Sequence, residues 1–154
     1  MLRTLALLRH GLASGQGPAA ELRPEGAAYL RRLAALLDRE GWRPAAIVTS
    51  PYRRARESAA VMAAALRVGE APLVLEDLIP EVEPEPALAA VLAAAPLASS
   101  ILVVSHLPLI GRLAQELIGE DPGFSPGTLV EIVRDHDGVA RLLRRIGASD
   151  LPAA

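Results

Sequence analysis

Cysteine is absent from all 154 residues, which excludes disulfides, thiol catalysis and thiolate metal sites. Lysine is absent too, so all 16 fixed side-chain cations are arginine. Arginine holds phosphate in a planar fork, although an arginine-only set is also what a GC-rich genome produces. Aromatics are scarce, with one Trp, one Phe and two Tyr. The core is therefore assembled from small aliphatic pieces, which favours helices laid on a sheet over a sandwich of large rings. The net charge is −2, and nothing argues for nucleic-acid binding through a basic field. No apolar run approaches the roughly 18 residues that a membrane span needs. The N-terminal stretch TLALL is too short for a signal-peptide core, and Arg9 interrupts it. The expectation is a soluble cytoplasmic chain without membrane or nucleic-acid partners.

A chain of this length fits one domain and can bury about two thirds of its unfolded surface. Strand-like runs occur at RTLALL, AAIVTS, PLVLE and SSILVVS, alternating with stretches of helical period. In PEGAAYLRRLAALLDREG, Leu30, Leu33, Ala34 and Leu37 recur at i, i+3, i+4 and i+7. Pro24 suits the first turn of that helix and Gly41 its stop. Further helices are expected over RRARESAAVMAAAL, PALAAVLAAA and PLIGRLAQELIG. The segment TLVEIVRDHDGVARLLRRI reads as two strands around a turn at Asp137-Gly138. Alternating strands and helices predict an α/β fold of three layers, α/β/α. Its sheet is mainly parallel, with helices on both faces and a C-terminal antiparallel hairpin. One domain is expected over residues 1–146, with 147–154 as a frayed tail.

In a parallel sheet, ligands bind in the crevice beyond the carboxyl ends of the strands, and the polar residues gather there. Strand one ends in Arg9-His10-Gly11, strand two in TSPYRRARES, strand three in Glu76-Asp77 and strand four in Ser105-His106. Two of the three histidines thus share one structural position, directly after an aliphatic strand. His136, inside RDHDG, reads as an exposed turn residue without a role.

Two chemistries compete for this set. His10, His106 and Asp77 could ligate zinc, but Arg9, Arg53 and Arg54 nearby would repel a divalent cation. Arginines beside histidines suit an anion, and phosphate matches the guanidinium fork. A neutral imidazole can attack phosphorus and form a phosphohistidine that water hydrolyses. Neighbouring arginines would keep that imidazole unprotonated, and Gly11 would let the backbone approach the anion. No metal or other cofactor is required.

LRHG after the first strand, TSPYRRARES after the second and SHLPLIG after the fourth together resemble the histidine phosphatase (phosphoglycerate mutase-like) superfamily. SHLPLIG and LRPEG are most similar to the bacterial SixA-type phosphohistidine phosphatases. The resemblance implies His10 as nucleophile and Arg9 as a phosphate ligand. It also implies Arg54 as the matching arginine of Ser-Pro-x-x-Arg-Ala, with Arg53 on a variable position, and His106 in contact with the phosphoryl group. The proton donor of the superfamily lies in a Leu-x-Glu pattern, matched here by Leu75-Glu76-Asp77. Asp77 stands where glutamate is usual, and Glu81 is the alternative donor. The substrate expected is phosphohistidine on a protein. The alternatives are a phosphomonoesterase or mutase acting on a small phosphate ester, and a phosphate-binding domain without turnover.

Overall fold

The computed structural model describes residues 2–152. In chain order the elements are β1 (Arg3–Arg9), α1 (Pro24–Arg39), β2 (Ala46–Thr49), α2 (Arg53–Ala65), β3 (Leu73–Val74), α3 (Pro84–Ala94), β4 (Ser100–Ser105), α4 (Leu109–Ile118), β5 (Leu129–Arg134) and β6 (Ala140–Ile146). Short 3-10 turns lie at Glu76–Leu78 and Ala148–Asp150. The strands form one sheet in the order β3-β2-β4-β1-β5-β6. The pairs β3–β2, β2–β4 and β4–β1 are parallel, and β5 and β6 add antiparallel pairs at the other edge. This is the expected three-layer α/β architecture with its C-terminal hairpin.

The layers follow from the period-two alternation of strand side chains. Along β1, Ala6 and Leu8 face α1 and α2, where they meet Leu30, Leu33, Leu37, Ala59 and Met62. Leu5 and Leu7 face α3 and α4, where they meet Ala87, Val91, Leu109 and Leu113. Each leucine buried in this way contributes about 1.5–3 kcal/mol. The stripe Leu30, Leu33, Ala34 and Leu37 is the buried face of α1. That helix starts at Pro24 and stops just before Gly41, whose φ of +75° favours glycine.

One topological feature positions the site. β1 leads through α1 towards β2 on one side of the sheet, whereas β4 leads through α4 to β5 on the other. β1 and β4 are neighbours, so their connections diverge and leave a crevice at their carboxyl ends. Arg9 pairs in register with Ser105, and the His10 amide donates to the Ser105 carbonyl at 3.1 Å. The residues that follow the two strands, His10 and His106, therefore emerge side by side.

The chain after β6 departs from the expected frayed tail. Leu151 is only 8% exposed and joins the core on the α1 and α2 face. The Gly147 amide donates to Asp150 Oδ2 at 2.8 Å, and Arg32 donates to the Pro152 carbonyl. One leucine that can reach the core is enough to draw residues 147–152 back onto the domain. The last two residues of the expected tail, 153 and 154, lie outside the described residues. Among the described residues no helix is long and apolar enough to cross a membrane.

Candidate active site

His10 is buried, and its two ring nitrogens have separate tasks. Nδ1 lies 2.8 Å from the Gly11 carbonyl. A carbonyl can only accept, so Nδ1 carries the proton and Nε2 the lone pair. Arg54 Nε donates to that lone pair at 3.2 Å. Burial pushes the His10 pKa down to about 4; the Gly11 carbonyl opposes the shift, and Arg54 and Arg9 add to it. At neutral pH the ring is an uncharged base with its lone pair pointing at a cation.

The two arginines are held by backbone carbonyls. Arg9 donates to the Phe124 carbonyl at 2.9 Å, while its buried Nε has no protein partner. Arg54 donates to the Gly17 carbonyl at 2.7 Å, and its guanidinium carbon lies 5.1 Å from the centre of the Tyr52 ring. Burial lowers both guanidinium pKa values, and for Arg9 the charge on Arg54 adds to this. Arg54 points inward because it sits one helical turn before Ser58, on the face of α2 that packs against β2 and β4. Ser58 Oγ donates to the Arg54 carbonyl at 2.7 Å and accepts from the Gly11 amide at 3.0 Å. Arg53, one position earlier, faces out towards Glu21 and Glu57 at 3.7 and 3.4 Å.

His106 is 1% exposed. Its ring centre is 5.1 Å from that of His10 and 4.8 Å from that of Tyr52. Nε2 lies 2.6 Å from Ser50 Oγ, and the buried Nδ1 has no protein partner. Burial pushes the His106 pKa down to about 3, with His10, Arg54 and Arg9 acting in the same direction.

Arg9, His10, Arg54 and His106 line a cleft of about 350 Å³, walled by residues 12–16, Leu107 and Pro126. The loop before β5 closes it from below the first strand: the Gly127 amide donates to the carbonyls of both Arg9 and His10 at 3.0 Å. Gly127 has a φ of +81°, and a Cβ there would run into the Tyr29 ring.

Of the six expected site residues, Arg9, His10, Arg54 and His106 line the cleft, whereas Asp77 and Gly11 do not. Asp77 lies exposed on the 3-10 turn and does not line the cleft. That turn is anchored through its neighbour: Leu78 is buried, and its carbonyl accepts from Ser105 Oγ at 2.7 Å. The anchoring leaves Asp77 on the solvent side. Glu81 is exposed and outside the cleft lining as well. The metal set of His10, His106 and Asp77 is not gathered, since among the described residues no group of three or more His, Cys, Asp or Glu could hold an ion.

Gly11, expected at the phosphate, packs behind the cleft lining. Its amide is taken by Ser58 and its carbonyl by His10, and a Cβ would come within 2.7 Å of Leu22 Cδ1. Close packing requires the glycine, whereas the carbonyl that orients His10 is a backbone group any residue would supply. The site also uses groups that the sequence reading missed. Ser50 and Tyr52 stand directly after the second strand, a position that could have marked them. The carbonyls of Gly17 and Phe124 are backbone groups and leave no residue-type signal.

The sequence matches the family model of the histidine phosphatase superfamily (branch 1) over residues 5–84, and the chain belongs to that superfamily. The matched region contains Arg9, His10 and Arg54. No curated protein matches the sequence. Among solved structures, the protein histidine phosphatase SixA complexed with tungstate superposes with a TM-score of 0.86 at 24% identity, covering 94% of this chain and 96% of its own. SixA of Agrobacterium tumefaciens gives 0.80 at 22% identity, with coverage of 94% and 97%. A mycobacterial glucosyl-3-phosphoglycerate phosphatase gives 0.70 at 16% identity, with coverage of 93% and 98%. At these identities the likeness is one of fold. Membership of the superfamily supports a phosphatase activity.

Proposed function

We propose that the chain is a phosphatase that works through a phosphorylated His10, and that its preferred substrate is phosphohistidine on a partner protein. One observation carries the choice of substrate. Among the described residues, the cleft lining presents two arginines and two neutral imidazoles and no carboxylic acid.

In the first step, the lone pair on His10 Nε2 attacks phosphorus while the substrate P–N bond opens. The bonding pair stays on the departing imidazole nitrogen. A phosphohistidine that is protonated on its other ring nitrogen leaves as neutral imidazole, so no proton has to arrive at the breaking bond. In the second step, a water oxygen attacks phosphorus and the P–Nε2 pair returns to His10. The water proton passes to the phosphate or to solvent. Throughout, the Gly11 carbonyl holds the proton on Nδ1, so His10 also departs as neutral imidazole. Arg9 and Arg54 neutralise the phosphoryl oxygens by directed donation.

A phosphate ester is a harder case. Its leaving alkoxide needs a proton, and a placed acid contributes about 10²–10⁴-fold. A cleft of about 350 Å³ lies in the range that holds small molecules, so a small ester is the reading to set against phosphohistidine. A panel of phosphohistidine proteins and small esters tests this choice. The expected kcat/KM for phosphohistidine exceeds that for esters by at least about 10², the missing contribution of an acid. A sugar phosphate turned over with micromolar KM and the higher kcat/KM would overturn the proposal.

A further inference from the structure

The Ser50 hydroxyl is fully buried and outside the cleft lining. It has two neighbours. The Tyr52 backbone amide donates to it at 3.2 Å, and His106 Nε2 lies 2.6 Å away. An amide can only donate, so one lone pair of the oxygen is committed to Tyr52. Suppose His106 carried its proton on Nε2. Ser50 Oγ would then accept a second time, and its own hydrogen would be buried without an acceptor, which is costly. When the hydroxyl donates to Nε2 instead, Ser50, the Tyr52 amide and Nε2 are all satisfied, and the one donor left over is the ring N–H that a bound anion can accept from. The proton of the neutral ring then sits on Nδ1, the buried nitrogen that has no partner in the protein.

We infer that Ser50 is a positioning residue: it holds His106 as the Nδ1–H tautomer, and this nitrogen donates to the phosphoryl group bound among Arg9, His10 and Arg54. The functional half of this inference rests on the proposed phosphatase reading, whereas the tautomer stands on hydrogen-bond geometry alone. The opposite tautomer would set a nitrogen lone pair against phosphoryl oxygens, acceptor facing acceptor. Burial keeps His106 neutral, with a pKa of about 3, so a tautomer and not a charge is what has to be set. Tyr52 serves the same end from both sides, its amide fixing Ser50 and its ring lying against His106. The segment that aims Arg54 thereby also sets the proton position on His106.

Nitrogen-15 NMR of the resting wild-type protein tests the tautomer directly. Nδ1 of His106 is expected to be pyrrole-like and Nε2 pyridine-like. Kinetics on a phosphohistidine peptide test the consequence. A wrong tautomer costs about 10⁴ in serine-protease triads; alanine leaves both tautomers accessible, so Ser50→Ala is expected to lower kcat roughly 10- to 100-fold. KM should change much less, and Ser50→Thr, which keeps the hydroxyl, should restore both the rate and the spectrum. An Nε2-protonated His106 in the wild type, or full kcat in Ser50→Ala, would overturn the inference. The wild-type spectrum decides the tautomer even where a variant fails to fold. If the wild type releases phosphate from no substrate, the proposed function falls, and the same spectrum still tests the tautomer.

Discussion

Lysine in place of Arg54 would keep a positive charge and remove the fork, which separates two ways in which this residue can matter. Arg54 makes two directed bonds at once, one to His10 Nε2 at 3.2 Å and one to the Gly17 carbonyl at 2.7 Å. An ammonium is a point donor on a flexible stem and cannot make both from one position. If directed donation to a phosphoryl oxygen is what counts, Arg54→Lys loses one transition-state contact, about 2.7–4 kcal/mol or 10²–10³ in kcat. If charge alone counts, the retained ammonium keeps kcat well above that loss. The ionisation of His10 does not confuse the result, because burial is the first cause of its low pKa and survives the substitution. The assay is phosphate release from a phosphohistidine peptide, with kcat and KM measured separately. Arg53→Ala is the control, since Arg53 is exposed and engaged with Glu21 and Glu57. It should change kcat by less than about twofold, as surface substitutions do. Full kcat in Arg54→Lys would refute the argument, as would a loss in Arg53→Ala equal to that in Arg54→Lys.

Three further outcomes follow from the same geometry. His10 is held neutral down to about pH 4, against an ordinary value of 6.5, so between those pH values the unfolded chain binds protons that the folded chain does not. Stability is therefore lost as pH falls through that window, by at most about 1.4 kcal/mol per pH unit for this group; the urea midpoint should fall more steeply for wild type than for His10→Asn, and parallel slopes would contradict the assignment. Gly11→Ala places a Cβ 2.7 Å from Leu22 Cδ1 and 3.2 Å from the Gly26 carbonyl, an overpacking expected to cost about 1–3 kcal/mol in urea unfolding; unchanged stability would show that the glycine is needed for something else. Asp77→Asn should alter turnover of either substrate class by less than about twofold, as at other exposed positions, and a selective loss of ester hydrolysis above tenfold would restore Asp77 as proton donor.

Secondary structure was legible wherever one physical signal dominated. The 3.6-residue stripe of α1 and the aliphatic strands are local consequences of burial, and burial on one face writes a period into the chain. His10 and His106 were legible for a related reason: a polar ring directly after an apolar strand interrupts a pattern that burial alone would continue. The packing of Leu151 was not legible because one leucine in GASDLPAA carries no period, and whether it reaches the core depends on the path taken after β6. The placement of Asp77 outside the cleft lining was not legible, because a family pattern gives a position along the chain, whereas the direction of its side chain depends on the anchoring of Leu78.

Local chemistry in the sequence therefore determined the elements, their order, and the residue types collected at the strand ends. Tertiary structure alone decided that β4 inserts between β2 and β1, which sets His10 beside His106. It also decided that Arg54 and not Arg53 turns inward, and that Gly11 serves packing and a histidine tautomer. The division has a physical basis. Hydrophobic periodicity and turn propensity act between residues close in sequence, so one chain displays them. Strand order, side-chain direction and the pairing of buried polar atoms are set by which distant surfaces exclude water together, and that is settled only when the chain has folded.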